Sequence, residues 1–275
     1  MILEILSPIL FLGSLSLVLG LTLGLASKIF HVKRDEKAVA VRNLLPGVNC
    51  GACGLAGCDV FANDVAKGLA KITGCPVGGD SLVDEIAEVM GVKSEKSERF
   101  VAFVRCGGSL EAAKNNYEYP GMKDCDAASI LVDGGPKGCH YGCLGFGTCA
   151  RACPFDAIDM YDGLAVVNSD KCVACTLCVS SCPKSLIEIL PDDSKVRVAC
   201  NSNDIGRDVR ALCSVGCIAC KICQKSCPYD AIDFADNLAK IDYKKCTLCE
   251  ICVEKCPTKT ITPVRKPHPS PISKL

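Results

Sequence analysis

Cysteine dominates the chemistry available to this chain, since 24 of its 275 residues are cysteines. Twelve of them stand in three runs that follow the pattern C-x2-C-x2-C-x3-C-P without exception. This pattern is typical of bacterial iron–sulfur proteins, in which three closely spaced thiolates bind one cluster and the fourth binds a neighbouring cluster. The runs are Cys172, Cys175, Cys178 and Cys182; Cys217, Cys220, Cys223 and Cys227; and Cys246, Cys249, Cys252 and Cys256.

The last two runs predict a pair of 4Fe–4S clusters, because the fourth cysteine of each run crosses to the cluster of the other. Zinc is the alternative metal. Zinc sites close as a tetrahedron of four ligands, and a run of three thiolates with a fourth before a proline does not suit them. The predicted ligand sets are Cys217, Cys220, Cys223 and Cys256 for one cluster, and Cys246, Cys249, Cys252 and Cys227 for the other.

The sequence repeats itself from residue 153 onward. The segment CPFDAID at Cys153 returns 74 residues later as CPYDAID at Cys227. Duplication of one unit is the simplest account, and it predicts two tandem ferredoxin-like modules at 100–199 and 200–262. Within the copies, the segments RFVAFVRC, GLAVVN and NLAKID predict strands, and the CP-x-D-A-I segments predict a helical turn.

The first cysteine run of the first copy departs from the pattern, since its cysteines are spaced x3, x5 and x3. We interpret it as a stretched run whose glycines still let three thiolates face one cluster. The predicted ligand sets of this module are Cys139, Cys143, Cys149 and Cys182 for one cluster, and Cys172, Cys175, Cys178 and Cys153 for the other.

A separate group of four cysteines, Cys50, Cys53, Cys58 and Cys75, lies nearer the N-terminus in a glycine-rich segment. Apolar residues at helical spacing after Cys58 predict a helix that brings Cys75 back to the loop. A second helix is predicted over the segment SLVDEIAEVM, with Gly91 as its stop. We expect a further 4Fe–4S cluster here, with a structural zinc site as the alternative.

Four cysteines remain, Cys106, Cys125, Cys200 and Cys213, and one pair of them precedes each ferredoxin-like copy. Two matching pairs suggest a cluster that bridges the copies, and all 24 cysteines would then serve as ligands. Buried or unpaired thiols are the alternative. The sequence therefore predicts five 4Fe–4S clusters, or six if these four cysteines form a site.

The N-terminal segment predicts a membrane anchor, because 23 residues from Ile5 to Ser27 carry no charge and are long enough to span a bilayer. The basic residues Lys28, His31, Lys33 and Arg34 follow at once, and the positive-inside rule then places the N-terminus outside and the cluster domains in the cytoplasm. A cleaved signal peptide is the alternative, but no basic segment precedes the apolar one. A cytoplasmic location favours free thiols over disulfides.

The chain is predicted to be an α+β protein with a single transmembrane helix, a small four-cysteine domain and the two ferredoxin-like modules. The other predicted segments are an anchor at 1–27, a linker at 28–45, a cluster domain at 46–92 and a disordered tail at 263–275. A net charge of zero gives no indication of nucleic-acid binding. No nucleotide-binding motif or catalytic side chain is recognisable, so the predicted function is electron transfer.

The N-terminal apolar segment, the C-x2-C-x4-C-x16-C group followed by PVGG, and the segment GCHYGCLGFGTC together resemble one family closely. It is the family of B subunits of the Rnf-type ion-translocating ferredoxin:NAD+ oxidoreductase, which is also called the electron-transport complex. The resemblance implies a complex of membrane and peripheral subunits that passes electrons from reduced ferredoxin to NAD+ while pumping sodium ions or protons. Members of this family are implied to receive the electrons from ferredoxin.

Two other functions are open at this point. One is a membrane-anchored reductase component that delivers electrons to a redox sensor or a nitrogenase. The other is a non-redox metal-binding or assembly module. Lysines of the last module, such as Lys221 and Lys225, are candidates for docking an acidic ferredoxin, although an ordinary solvated surface has the same composition.

Overall fold

The computed structural model describes residues 2–30, 35–94 and 98–263 of the chain. The first element is a long helix, α1 (Ile2–Ile29). Within the described residues, one helical stretch, Phe11–Ile29, is long and apolar enough to cross a membrane. His31, Lys33 and Arg34, residues 95–97 of the predicted domain boundary, and the predicted tail from residue 264 lie outside the described residues.

Three helices form a compact unit after α1, called here the N-terminal unit. They are α2 (Glu36–Leu44), α3 (Cys58–Ala66) and α4 (Gly79–Met90). Val41, Phe61 and Ile86 come from the three helices and are buried together in one apolar core. The segment predicted as a linker therefore contains a helix, and apolar side chains of residues 36–45 complete this core.

The predicted helix after Cys58 is confirmed only in its first half, since α3 ends at Ala66 and a short 3-10 turn at Ile72–Gly74 leads to Cys75. Gly68 adopts a left-handed conformation with φ of 71°, and Leu69, one of the apolar residues at helical spacing, is 76 % exposed. The second predicted helix is confirmed. The amide of Gly91, with φ of 73°, donates to the carbonyl of Ala87 and closes α4.

The first ferredoxin-like module contains two antiparallel strand pairs. β1 (Phe100–Val104) pairs with β4 (Ile187–Pro191) and so joins the beginning of the module to its end. β2 (Ile158–Tyr161) and β3 (Leu164–Val167) form a hairpin. Three short helices carry cysteines or flank them: α5 (Cys125–Ser129), α6 (Thr148–Arg151) and α7 (Leu177–Ser180). A 3-10 turn lies at Val132–Gly134.

The second module repeats this plan. β5 (Val196–Val198) pairs with β8 (Ile261–Pro263), and β6 (Ile232–Ala235) pairs with β7 (Leu238–Ile241). Its helices are α8 (Gly206–Leu212), α9 (Ile222–Lys225) and α10 (Ile251–Lys255). The predicted boundary at 199/200 assigned β5 to the first module, whereas its pairing with β8 places it in the second.

The segments after Cys153 and Cys227 correct another prediction. These segments are not helical, because Asp156 and Asp230 adopt left-handed conformations within them. The strands β2 and β6 begin directly afterwards, at Ile158 and Ile232. The helical turns come before the CP pairs, in α6 and α9. The predicted strands at GLAVVN and NLAKID are confirmed as β3 and β7.

The two modules contact each other directly. The amide of Lys114 donates to the carbonyl of Leu212 at 2.9 Å, and the amide of Ser214 donates to the carbonyl of Ala112 at 2.8 Å. The buried guanidinium of Arg197, on β5, lies over the ring of Phe103 on β1, 5.1 Å from its centre. Backbone and side chains therefore hold the modules together as neighbours.

The core of the N-terminal unit generates the first prediction. Ile86→Ala removes a side chain that is fully buried and should destabilise this unit by about 2–5 kcal/mol, because the cavity it leaves is lined by helices that cannot collapse onto it. Chemical unfolding of anaerobic protein, followed by circular dichroism, measures the loss. The exposed neighbour Glu85 provides the control, since Glu85→Ala should change stability by less than about 0.5 kcal/mol. Equal effects of the two substitutions would contradict the packing described.

Candidate metal centres

All 24 cysteines are free thiols, and none forms a disulfide. We assign them to six groups of four, which we number from the N-terminal unit to the second module. Site 1 is Cys50, Cys53, Cys58 and Cys75; site 2 is Cys153, Cys172, Cys175 and Cys178; site 3 is Cys125, Cys143, Cys149 and Cys182; site 4 is Cys106, Cys139, Cys200 and Cys213; site 5 is Cys217, Cys220, Cys223 and Cys256; site 6 is Cys227, Cys246, Cys249 and Cys252.

Sites 5 and 6 bring together the residues that the sequence grouped. The four thiols of site 5 line one cavity of the second module, and the four thiols of site 6 line another. Burial raises the pKa of Cys223 to about 12, and the charges of Cys217, Cys220 and Cys256 contribute to the rise. The cysteine before each proline thus crosses to the neighbouring site, as the crossing rule predicts.

Site 2 also contains the residues that the sequence grouped. Burial raises the pKa of Cys178 to about 12, with further contributions from Cys172, Cys175 and Cys153. Two backbone amides point at the sulfurs of this site. The amide of Ala102 lies 3.3 Å from the sulfur of Cys172, and that of Ala157 lies 3.4 Å from the sulfur of Cys153.

Site 3 differs from the prediction in one ligand. Its cavity is lined by Cys125 together with Cys143, Cys149 and Cys182, and Cys139 is not among the lining residues. Burial raises the pKa of Cys149 to about 12, and the thiols that contribute are Cys143, Cys125 and Cys182, followed by Cys178. The assignment of Cys139 to this group was therefore wrong, and so was that of Cys125 to the bridging group.

Alignment of the two copies explains why Cys125, and not Cys139, belongs to site 3. At the 74-residue offset, Phe146 occupies the position of Cys220, so this run is not stretched but has lost its middle cysteine. The backbone keeps the same shape, since Gly145 and Gly147 have φ of 79° and 74° where Ala219 and Lys221 have 53° and 59°. Cys125 supplies the missing thiol.

Side chains of α6 hold Cys125 in this place. The amide of Cys125 donates to the hydroxyl of Thr148 at 2.8 Å, and that hydroxyl donates to the carboxylate of Asp124 at 3.0 Å. Arg151 forms an ion pair with the same carboxylate at 2.8 Å. Amide and hydroxyl donors together lower the pKa of Asp124, so its charge fastens α5 to α6 and places the two cysteines of these helices in one site.

Site 4 lies between the modules. Cys106, Cys139, Cys200 and Cys213 line one cavity together with Gly108 and Lys137. Burial raises the pKa of Cys139 to about 11, and the thiols that contribute are Cys106, Cys200 and Cys213. The structure thus brings together three of the four cysteines that the sequence left over, and Cys139 takes the place of Cys125.

The ligands of site 4 form two equivalent pairs. Cys106 and Cys200 each stand two residues after the first strand of their module, β1 or β5, and Cys139 and Cys213 correspond at the 74-residue offset. The amide of Cys143 donates to the sulfur of Cys106 at 3.4 Å, and its counterpart Cys217 donates to Cys200 at 3.3 Å. Each module therefore contributes half of the site. The sequence signal for the correspondence of Cys139 and Cys213 is the 74-residue repeat, when it is followed toward the N-terminus beyond residue 153.

Site 1 is built around the beginning of α3. The side-chain oxygen of Asn49 accepts from the amide of Cys58 at 2.9 Å. A side chain at Gly74 would lie 2.9 Å from the ring of Phe61, so a glycine is needed where the chain returns to the site. Burial raises the pKa of Cys75, and Cys58 and Cys50 contribute to the rise, which places these thiols near one another.

The donor set of these sites fits iron–sulfur clusters, since such clusters are held by cysteine thiolates. Four of the sites are cavities that are each lined by four cysteines. Buried thiols with raised pKa values stay protonated until a metal displaces the proton, and amides that donate to sulfur are a known means of adjusting the potential of an iron–sulfur cluster.

Comparison with known proteins agrees with this chemistry. An Fe-S cluster family model matches residues 45–77, and models of 4Fe-4S dicluster domains match residues 136–183 and 216–260.

Several relatives match most of the chain, and each is the B subunit of a translocating complex. The chain is 47 % identical to that of the Na+-translocating ferredoxin:NAD+ oxidoreductase complex of Acetobacterium woodii, over 88 % of this chain and 73 % of that protein. It is 42 % identical to that of the ion-translocating oxidoreductase complex of Methanosarcina acetivorans, over 88 % and 92 %. It is 41 % identical to that of the proton-translocating ferredoxin:NAD+ oxidoreductase complex of Clostridium ljungdahlii, over 84 % and 82 %.

The exchange of Cys125 and Cys139 generates a prediction with reciprocal variants. Six filled sites hold about 24 irons per chain, at four per cluster. The double variant Cys139→Ala/Cys200→Ala damages site 4 alone and should lose about 4 irons. The double variant Cys125→Ala/Cys200→Ala damages sites 3 and 4 and should lose about 8.

Iron and sulfide analysis of anaerobically purified, full-length protein measures the two losses. The opposite result, with the larger loss in Cys139→Ala/Cys200→Ala, would restore the grouping predicted from the sequence. Circular dichroism of both variants is the control for their folding.

Proposed function

Because the chain belongs to the family of B subunits of ion-translocating ferredoxin:NAD+ oxidoreductase complexes, we propose that it carries electrons through six 4Fe–4S clusters, one in each cysteine site. The chain is the iron–sulfur electron-transfer subunit of such a complex. A 4Fe–4S cluster supplies one-electron chemistry when it is bound. The residues of the chain hold the clusters close to one another and shape the surroundings of each.

Electrostatic interactions between the thiols of neighbouring sites support one order of sites along the electron path. Burial is the main cause of the raised pKa of Cys175 in site 2, and the charge of Cys50 in site 1 contributes to it. Cys178 of site 2 contributes in the same way to the pKa of Cys149 in site 3, where burial is again the main cause. Sites 1, 2 and 3 therefore follow one another in space.

Two hydrogen bonds continue the path into the second module. The amide of Cys143 in site 3 donates to the sulfur of Cys106 in site 4, and the amide of Cys217 in site 5 donates to the sulfur of Cys200 in site 4. Site 4 thus lies between a ligand of the first module and a ligand of the second. This intermediate position is the observation that carries the proposal, because it makes one continuous path from two separate ferredoxin-like modules.

Exposure of the ligands supports the second module as the point of entry. Of the 24 cysteines, Cys220 of site 5 and Cys249 of site 6 are exposed, and all others are buried or half-buried. An external carrier approaches these two sites most closely. Lys221 and Lys225 are exposed beside Cys220, and their charges favour an acidic carrier. We propose reduced ferredoxin as that carrier.

The other end of the path is site 1, which is nearest to α1 along the chain. We propose that α1 anchors the chain in the cell membrane through contact with lipid, with its N-terminus outside and the cluster domains in the cytoplasm. Electrons would then leave from site 1 toward membrane subunits of the complex. The corresponding domains are the anchor, the N-terminal unit at 36–92 and ferredoxin-like modules at 98–193 and 194–263, which together give an α+β fold.

The proposal is tested on the whole anaerobic complex. Reduced ferredoxin should reduce the clusters of this chain, seen by electron paramagnetic resonance, and NADH should form in a reaction that builds a sodium or proton gradient. Cluster reduction without NADH formation would indicate a reductase component for another acceptor. A chain loaded with zinc, without a paramagnetic signal on reduction, would indicate a non-redox metal-binding module.

Charge reversal at the entry face gives a sharper prediction. The double variant Lys221→Glu/Lys225→Glu should slow the association of reduced ferredoxin by about tenfold or more at low salt, because electrostatic steering depends on complementary charge. Stopped-flow oxidation of ferredoxin at a series of salt concentrations measures this. The control, Lys67→Glu/Lys71→Glu, makes the same change of net charge on exposed residues of the N-terminal unit. Equal slowing in both variants would contradict entry at the second module.

A further inference from the structure

Lys137 is a buried cation beside site 4. Its side chain is 4 % exposed, lines the cavity formed by the four thiols and donates from its Nζ to the carbonyl oxygen of Gly108. Among the described residues, none of the ion pairs includes Lys137. A buried ammonium group with only a carbonyl partner is costly, so the site itself is the natural source of a compensating negative charge.

Two glycines fit the lysine against the sulfurs. A Cβ atom at Gly108 would lie 3.4 Å from the sulfur of Cys213 and 3.7 Å from that of Cys106. A Cβ atom at Gly142 would lie 2.8 Å from Cδ of Lys137 and 3.4 Å from Cβ of Cys139. The carbonyl that receives the ammonium group therefore belongs to a residue beside two ligands, and the lysine stem lies beside Gly142, which adjoins a third ligand.

Lys137 lies among ligands of both modules. The cavity that it lines is bounded by Cys106 and Cys139 of the first module and by Cys200 and Cys213 of the second. Its charge therefore lies at the site where an electron crosses from one module to the other.

We propose that Lys137 sets the reduction potential of the cluster in site 4, as a fixed positive charge that favours the reduced state there. The inference rests on the proposed function, since it assumes a cluster in this site. Four thiolates give a cluster net negative charge, and one added electron increases it. In a medium of low dielectric constant, a nearby cation stabilises that increase strongly, and net charge is one of the factors that set cluster potentials.

The charge is present on one side of the site only. The ligands of site 4 are related by the duplication, but the residue equivalent to Lys137 at the 74-residue offset is Ala211. The lysine thus breaks the equivalence of the two halves and belongs to the first module. A purely structural role would need the hydrogen bond to Gly108 and the packing of the stem, but not the charge.

Redox titration of the full-length chain, monitored by electron paramagnetic resonance, tests the proposal. Cys200→Ala identifies the component that belongs to site 4, because that component disappears. Lys137→Met keeps the length of the side chain and removes its charge, and it should move this component to more negative potential. Lys137→Arg keeps the charge and should leave the component nearer its original potential. Lys114→Met is the matched control, since Lys114 is exposed on the same loop region and should cause no shift.

An unchanged titration of Lys137→Met with full iron content would overturn the proposal. Loss of about 4 irons in both Lys137→Met and Lys137→Arg would also overturn it, because the lysine would then be required for assembly rather than for potential. If the titrations of wild-type protein and Cys200→Ala do not differ, no cluster is present in site 4. The proposed path itself then fails, which is a distinct result.

Discussion

No cysteine run supplies more than three thiolates to one site, so every site needs at least one ligand from a distant part of the chain. This requirement determines the rest of the fold. Within a module, the cysteine before the proline crosses over, and the strand pairs β1–β4 and β5–β8 join the ends of the chain segment that must meet. The apolar cores are small and contain the cysteines themselves. We therefore expect metal binding and folding to be strongly coupled.

Site 4 extends the same requirement across the duplication. Neither module holds enough cysteines at this place to complete a site, but two equivalent pairs, one from each module, do so. The hydrogen bonds between the modules then have a function beyond packing, since they fix the distance between the two halves of one site. A single cluster in this position converts two ferredoxin-like units, which would otherwise be independent, into one electron path.

Much of this architecture was predictable, because the cysteine spacings and the repeat are local in sequence. Sites 1, 2, 5 and 6, the strands of the hairpins and helix α4 follow from such patterns. The exchange of Cys125 and Cys139 was missed because Phe146 occupies a ligand position and hides the correct register of the run. The role of residues 36–45 was missed because Val41 contacts residues far away in sequence. The burial of Lys137 depends on both modules and has no local signal.

Iron anomalous diffraction from anaerobically grown crystals of the full chain tests the central claim most directly. Six iron peaks are expected, one of them between the modules and bounded by Cys106, Cys139, Cys200 and Cys213. A map with no iron between the modules, or with Cys139 grouped with Cys143, Cys149 and Cys182, would contradict that claim.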